Sequence, residues 1–135
     1  MPLTKNEVEA LVSAARSVRD NAYAPYSQFR VGAALLCDDG SIVTGCNVEN
    51  SSYSLTCCAE RTAVFTAVAQ GKRSFTAMAI ATSRQPVAPC GACRQVLAEF
   101  NPAMTLILCD ENADHAFRTM TDLLPDPFTP DMLAQ

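Results

Sequence analysis

Val31-Gly32-Ala33-Ala34-Leu35-Leu36-Cys37, then Asp38-Asp39-Gly40, then Ile42-Val43-Thr44-Gly45-Cys46-Asn47: this stretch decides the fold. Two apolar runs of strand length joined by an Asp-Gly turn signal read as a β-hairpin. Upstream, residues from about Thr4 to Asn21 place Val8, Leu11, Val12, Ala15 and Val18 on one helical face, with Thr4 as N-cap and Glu7 three positions on. The turn Ala24-Pro25-Tyr26-Ser27 joins this amphipathic helix to the hairpin. Downstream, after a polar loop from Glu49 to Ser54, Cys58 to Gln70 is Ala-rich and ends at Gly71, the pattern of a helix with a glycine C-cap. Ala77 to Thr82 reads as a strand, Gly91 to Phe100 as a helix after a loop punctuated by Pro86 and Pro89, and Met104 to Cys109 as a further strand. This alternation predicts a three-layer α/β domain with a hairpin at the start of its sheet and later strands running parallel. The tail from Leu123 carries Pro125, Pro127 and Pro130 and is expected to be ordered but irregular.

A chain of 135 residues, 49% hydrophobic and 18% charged, suffices for one core and is too short for a catalytic domain plus a separate binding domain. We therefore expect a single catalytic domain over 1–135. The first residues lack a basic region followed by an apolar stretch, and no apolar run is long enough to cross a bilayer, so no membrane association and a cytoplasmic location are expected. Seven cysteines, with Cys37, Cys46 and Cys109 inside apolar runs, fit reduced thiols better than a disulfide framework. The formal charge of −4, with ten basic residues scattered among fourteen acidic ones, shows no cationic track for a phosphate backbone, so no nucleic-acid partner is expected.

Chemistry concentrates in two short motifs. Pro89-Cys90-Gly91-Ala92-Cys93 offers two thiols at C-x-x-C spacing, and Cys58-Ala59-Glu60 offers a third with a carboxylate two residues on. A C-x-x-C alone reads equally as a redox dithiol or as half of a structural zinc site. A redox dithiol has no use for Cys58-Ala59-Glu60. A closed structural site needs a fourth ligand, and Cys57, the near candidate, would point roughly 100° away from Cys58 on a helix. Three thiols with a spare carboxylate favour an open zinc site that leaves a coordination position for water. Both cysteine groups fall at predicted helix N-termini, whose partial positive charge stabilises thiolates. Arg61 either donates to those thiolates or is an ordinary surface arginine; Glu60 either carries protons or is an ordinary helix-start glutamate. His115, the sole histidine, sits in an Asn/Ala/Asp stretch and reads as a loop residue.

Cys58-Ala59-Glu60-Arg61 together with Pro86-Val87-Ala88-Pro89-Cys90-Gly91-Ala92-Cys93-Arg94-Gln95 resembles the cytidine deaminase family, in its small homotetrameric three-cysteine branch. The resemblance extends from Tyr26-Ser27-Gln28-Phe29-Arg30-Val31-Gly32-Ala33-Ala34 through Gly45-Cys46-Asn47-Val48-Glu49-Asn50 to Leu123-Leu124-Pro125-Asp126-Pro127-Phe128. It implies a three-layer α/β/α fold with a mixed five-stranded sheet and helices on both faces. It further implies one Zn(2+) per subunit on Cys58, Cys90 and Cys93, with Arg61 supporting the thiolates. The implied reaction is hydrolytic deamination of cytidine and deoxycytidine in pyrimidine salvage, water activated at zinc attacking C4 while Glu60 shuttles protons. Asn47 and Glu49 correspond to residues that bind the ribose hydroxyl, with Val48 between them lining the site. Phe29 is similar to a residue that packs on the pyrimidine, and backbone groups near Ala59 and Cys90 pair with its polar edge. Tyr53 and Phe128 resemble residues that reach a neighbouring subunit's pocket, which implies a homotetramer with shared sites. Two readings compete: a deaminase of another pyrimidine nucleoside, such as a blasticidin-type antibiotic, and a zinc-binding module without catalysis.

Overall fold

The computed structural model of the protein describes residues 2–83, 85–112 and 115–133. Helix α1 (Lys5–Arg19) begins on a complete capping box: the Thr4 hydroxyl accepts from the Glu7 backbone N–H and the Glu7 carboxylate accepts from that of Thr4. Strands β1 (Val31–Cys37) and β2 (Ile42–Cys46) form the expected hairpin, paired Gly32 to Cys46 through Leu36 to Ile42. Helix α2 (Ala59–Ala69) follows with Gly71 at φ +87°, the left-handed backbone that ends helices at glycine. Then come β3 (Phe75–Thr82), α3 (Gly91–Phe100), β4 (Thr105–Cys109), β5 (His115–Thr119) and the short α4 (Met120–Leu123).

The sheet order is β2-β1-β3-β4-β5, with β3 and β4 parallel and the other neighbours antiparallel. The expectation that later strands run parallel holds for β3 and β4 only. Strand β5 returns antiparallel along β4, and His115, expected in a loop, begins it. Its sequence, His-Ala-Phe-Arg-Thr, is nearly all exposed because it is an edge strand, so it lacks the apolar alternation that marks strands. Of the Asn/Ala/Asp stretch before it, 113 and 114 lie outside the described residues. The short α4 ends where the tail begins, at Leu123, and the tail is irregular as expected up to a 3-10 turn at Pro130–Leu133.

Period-two alternation sorts the strand side chains into two cores. Leu35, Met78, Ile80, Leu106 and Leu108 face α2 and α3, while Ala34, Leu36, Ala79 and Ile107 face α1. Two glycines let helices approach the hairpin closely. A Cβ on Gly32 would lie 2.1 Å from the Ala15 carbonyl oxygen of α1, and one on Gly45 would lie 2.3 Å from the Ala63 backbone nitrogen of α2. Cys37 and Cys109 are buried as expected, whereas Cys46, at the edge of the sheet, is only half-buried. No helix among the described residues is long and apolar enough to cross a membrane.

Candidate active site

Helices α2 and α3 pack side by side on one face of the sheet and bring their starts together. Cys58 is the N-cap of α2 and Cys90 the N-cap of α3; neither helix start has a side-chain capping bond. Cys93 lies in the first turn of α3, and its sulfur joins the other two in a group whose atoms all fall within 4.8 Å of one another. The separations are 4.0 Å for Cys58 to Cys90 and 3.4 Å for Cys90 to Cys93. Sulfur ligands at about 2.3 Å from a tetrahedral zinc lie about 3.8 Å apart, so the three thiols fit that ion. Cys57 does not join them. It pairs in an extended bridge with Val48 and its sulfur accepts from the Thr62 hydroxyl at 3.6 Å, so extended backbone, rather than helical rotation, turns it away from Cys58.

Charge around the sulfurs favours thiolates. The Arg61 Nη2 donates to Cys58 Sγ at 3.5 Å, and Arg61 Nε is buried with no hydrogen-bond partner among the described residues. A buried guanidinium donor is costly unless an anion lies near it, which a thiolate cluster provides. The Cys93 thiol, followed by Arg61, holds the Cys58 pKa down to about 5, against the opposing effect of burial. Cys93 is pushed strongly up, because it shares its proton with Cys58 and is buried. Glu60, only 6% exposed, has its pKa pushed up to about 7, first by burial and then by the Cys58 thiolate. A carboxyl group poised near neutrality can both take and return a proton.

A cavity of about 280 Å³ opens above this group. Cys58, Ala59, Glu60 and Cys90 line it, as do Phe29, Asn47 and Glu49 from the hairpin side. Its volume is at the lower end of ligand sites, about 300 Å³ upward, and suits one small metabolite. An adjoining cavity of about 270 Å³ shares Ser27, Glu49 and Thr56 with it and adds Tyr26 and Tyr53, whose rings meet edge to face at 5.7 Å. None of the described residues lining either cavity is a lysine, arginine or histidine.

Asn47 and Glu49 also hold the loop that carries Phe29. Asn47 Oδ1 accepts from the Val31 N–H at 2.9 Å and Nδ2 donates to the Phe29 carbonyl at 2.8 Å. The Glu49 carboxylate accepts from the backbone N–H of Tyr26 and Ser27 at 2.9 and 3.1 Å, and from the Ser27 hydroxyl. These donors, the Ser27 hydroxyl foremost, lower the Glu49 pKa.

Three other expected site residues lie apart from the main cavity. Val48 is exposed, bridging Tyr23 and Cys57, and Tyr53 lines only the adjoining cavity. Phe128 is 54% exposed, its backbone clamped by Gln95, which donates to the Phe128 carbonyl at 2.7 Å and accepts from its N–H at 3.1 Å. Sequence reasoning missed Ser27, Thr56 and Thr82 as lining residues. Thr82, a polar residue closing an apolar strand that leads toward the Pro89-Cys90 loop, carried a usable signal; Ser27 and Thr56 reach the cavity only through tertiary convergence.

A family described as the cytidine and deoxycytidylate deaminase zinc-binding region matches residues 5–109. A cytidine deaminase from Sporosarcina psychrophila is 52% identical over 130 residues, 95% of this chain and 96% of the relative. One from Halalkalibacterium halodurans is 50% identical over 90% of this chain and 93% of the relative. The crystal structure of cytidine deaminase from Burkholderia pseudomallei superposes with a TM-score of 0.86 at 48% identity, covering 93% of this chain and all of that one (100%). With three thiols at two helix starts and a family match across most of its length, the chain belongs to the cytidine and deoxycytidylate deaminase family.

Proposed function

We propose that this chain hydrolyses cytidine and deoxycytidine to uridine and deoxyuridine, releasing ammonia, as a cytoplasmic enzyme of pyrimidine salvage with one catalytic domain over 1–135. The observation that carries this reading is the buried Glu60 beside three clustered thiols in a cavity sized for one small metabolite. Cys58, Cys90 and Cys93 would hold the zinc. Zinc bound there supplies the Lewis acidity that makes a water nucleophilic at neutral pH. Glu60 would take one proton of the attacking water and deliver it to ring N3, then carry the remaining hydroxyl proton to the amine, which leaves as ammonia as the C4–N bond breaks and the C4 carbonyl forms. Phe29 supplies an apolar face for the base, while Asn47 and Glu49 meet the ribose hydroxyl with their remaining donor and acceptor capacity. Backbone groups near Ala59 and Cys90 read the base edge, and the thiolates lean on Arg61.

The lining favours a nucleoside over a nucleotide. A 5′-phosphate would find no lysine, arginine or histidine among the described residues lining the two cavities to offset its charge, which costs binding free energy. The test follows the ultraviolet absorbance of cytidine, deoxycytidine, free cytosine and CMP with metal-replete protein. Loss of amine from the two nucleosides but not from base or nucleotide is expected. Turnover of none of them would overturn the reading in favour of an unusual pyrimidine nucleoside or a zinc module without catalysis.

The same reading includes a homotetramer in which Tyr53 and Phe128 complete neighbouring sites. Its support is the exposure of large apolar side chains, 74% for Tyr53, 67% for Leu55, 53% for Phe65 and 54% for Phe128. Light scattering on active protein should give four times the 14.5 kDa chain mass; an active monomer contradicts it.

A further inference from the structure

The Ser27 hydroxyl has one proton and two lone pairs to place, and both kinds of capacity are committed at the mouth of the cavity. Its proton goes to Glu49 Oε2, and it accepts the Phe29 backbone N–H at 3.0 Å. Glu49 is 9% exposed and its other oxygen, Oε1, already accepts from two backbone N–H groups, those of Tyr26 and Ser27. Oε2 has a single protein donor, the Ser27 hydroxyl, among these contacts. Oε1 is anchored by the two backbone donors, and the Ser27 hydroxyl bond at Oε2 completes the hold on the carboxylate's rotation about its last torsion. Oε2 keeps acceptor capacity beyond that bond, and Ser27, Phe29 and Glu49 all line the cavity. Gln28, between the two residues that Ser27 joins, sits at φ +60°, so the chain reverses locally and brings the Phe29 N–H back to the hydroxyl.

We propose that Ser27 is a positioning residue for the sugar: its hydroxyl orients the Glu49 carboxylate toward the ribose 3′-hydroxyl and joins that contact to the loop bearing Phe29. This rests on the reading of Glu49 as the ribose partner. Ser27 acts through Glu49 and takes no part in the chemistry at C4. Its removal should therefore raise KM while leaving kcat nearly as it is, and only where the substrate has a 3′-hydroxyl.

The experiment compares Ser27→Ala, Ser27→Thr and Glu49→Gln holoenzymes on deoxycytidine and 2′,3′-dideoxycytidine, with thermal melting to confirm folding. For Ser27→Ala the loss in kcat/KM on deoxycytidine should exceed that on the dideoxynucleoside by about tenfold, the scale of one charge-assisted hydrogen bond. Ser27→Thr, which keeps the hydroxyl at an exposed position, should restore most of it. Equal losses on both substrates, or a fall in kcat alone, would reduce Ser27 to a fold residue and overturn the proposal. If Glu49→Gln discriminates the two substrates and Ser27→Ala does not, the proposal fails while the ribose reading stands. If neither variant discriminates, the ribose reading fails and takes the proposal with it.

Discussion

Replacing Glu60 by Gln keeps the shape of the side chain and removes its capacity to carry a proton. Because Glu60 is buried beside the thiols without being one of the three clustered sulfurs, the variant should fold and retain zinc. Turnover should fall by at least about 10²-fold, as for loss of a general acid-base group, with metal content read on the same sample. Retained activity would remove Glu60 from the mechanism. Glu49 allows a test by titration. Its folded pKa lies below the ordinary 4.5, so the stability it contributes is complete above that value and is lost as the pH falls through the lowered folded value. Acid unfolding of Glu49→Gln should accordingly show a shallower loss of stability below pH 4.5 than the parent protein.

At the level of elements, the capping box and the two close glycine contacts make separable predictions. Thr4→Ala removes an N-cap whose oxygen satisfies the Glu7 N–H and should cost about 1 kcal/mol in chemical denaturation, without effect on activity. Gly32→Ala and Gly45→Ala both force a Cβ into helix backbone, at a cost of about 1–3 kcal/mol each. They differ in what moves. Gly32 meets α1, on the sheet face away from the thiols, so its variant should lose stability while its folded fraction binds zinc normally. Gly45 meets α2 at Ala59 and Ala63, next to Cys58 and Glu60, so its variant should lose stability and zinc affinity together. Elements were legible wherever burial imposed a period. The α1 face from Val8 to Val18 with its Thr4 cap, the hairpin and α3 all emerged close to their observed limits. Strand β5 escaped because an exposed edge places no demand on alternation. Within the site, the three thiols and Glu60 were legible because metal chemistry restricts both residue type and spacing. Ser27 and Thr56 were not, since any polar residue satisfies a local turn or loop, and only the topology directs these two at one cavity.

For the whole molecule, removing the metal leaves two neighbouring helix starts with clustered sulfurs and no capping side chain. Chelation should lower the melting temperature, and titrating zinc back should restore it in step with activity, because a ligand that binds only the folded state stabilises by mass action. A melting temperature indifferent to zinc would argue against a bound ion at these sulfurs. Cys58 and Cys90 stand 32 positions apart in sequence. An ion held by both is a removable cross-link, closing a loop that spans all of α2 and β3. By the entropy that a disulfide of similar span withholds from the unfolded chain, such a link is worth about 3–4 kcal/mol. The ion that supplies the chemistry is thus also a fastener: when zinc is scarce, the protein loses its catalyst and its tether in one event, and a zinc-free copy is the one most open to unfolding and proteolysis.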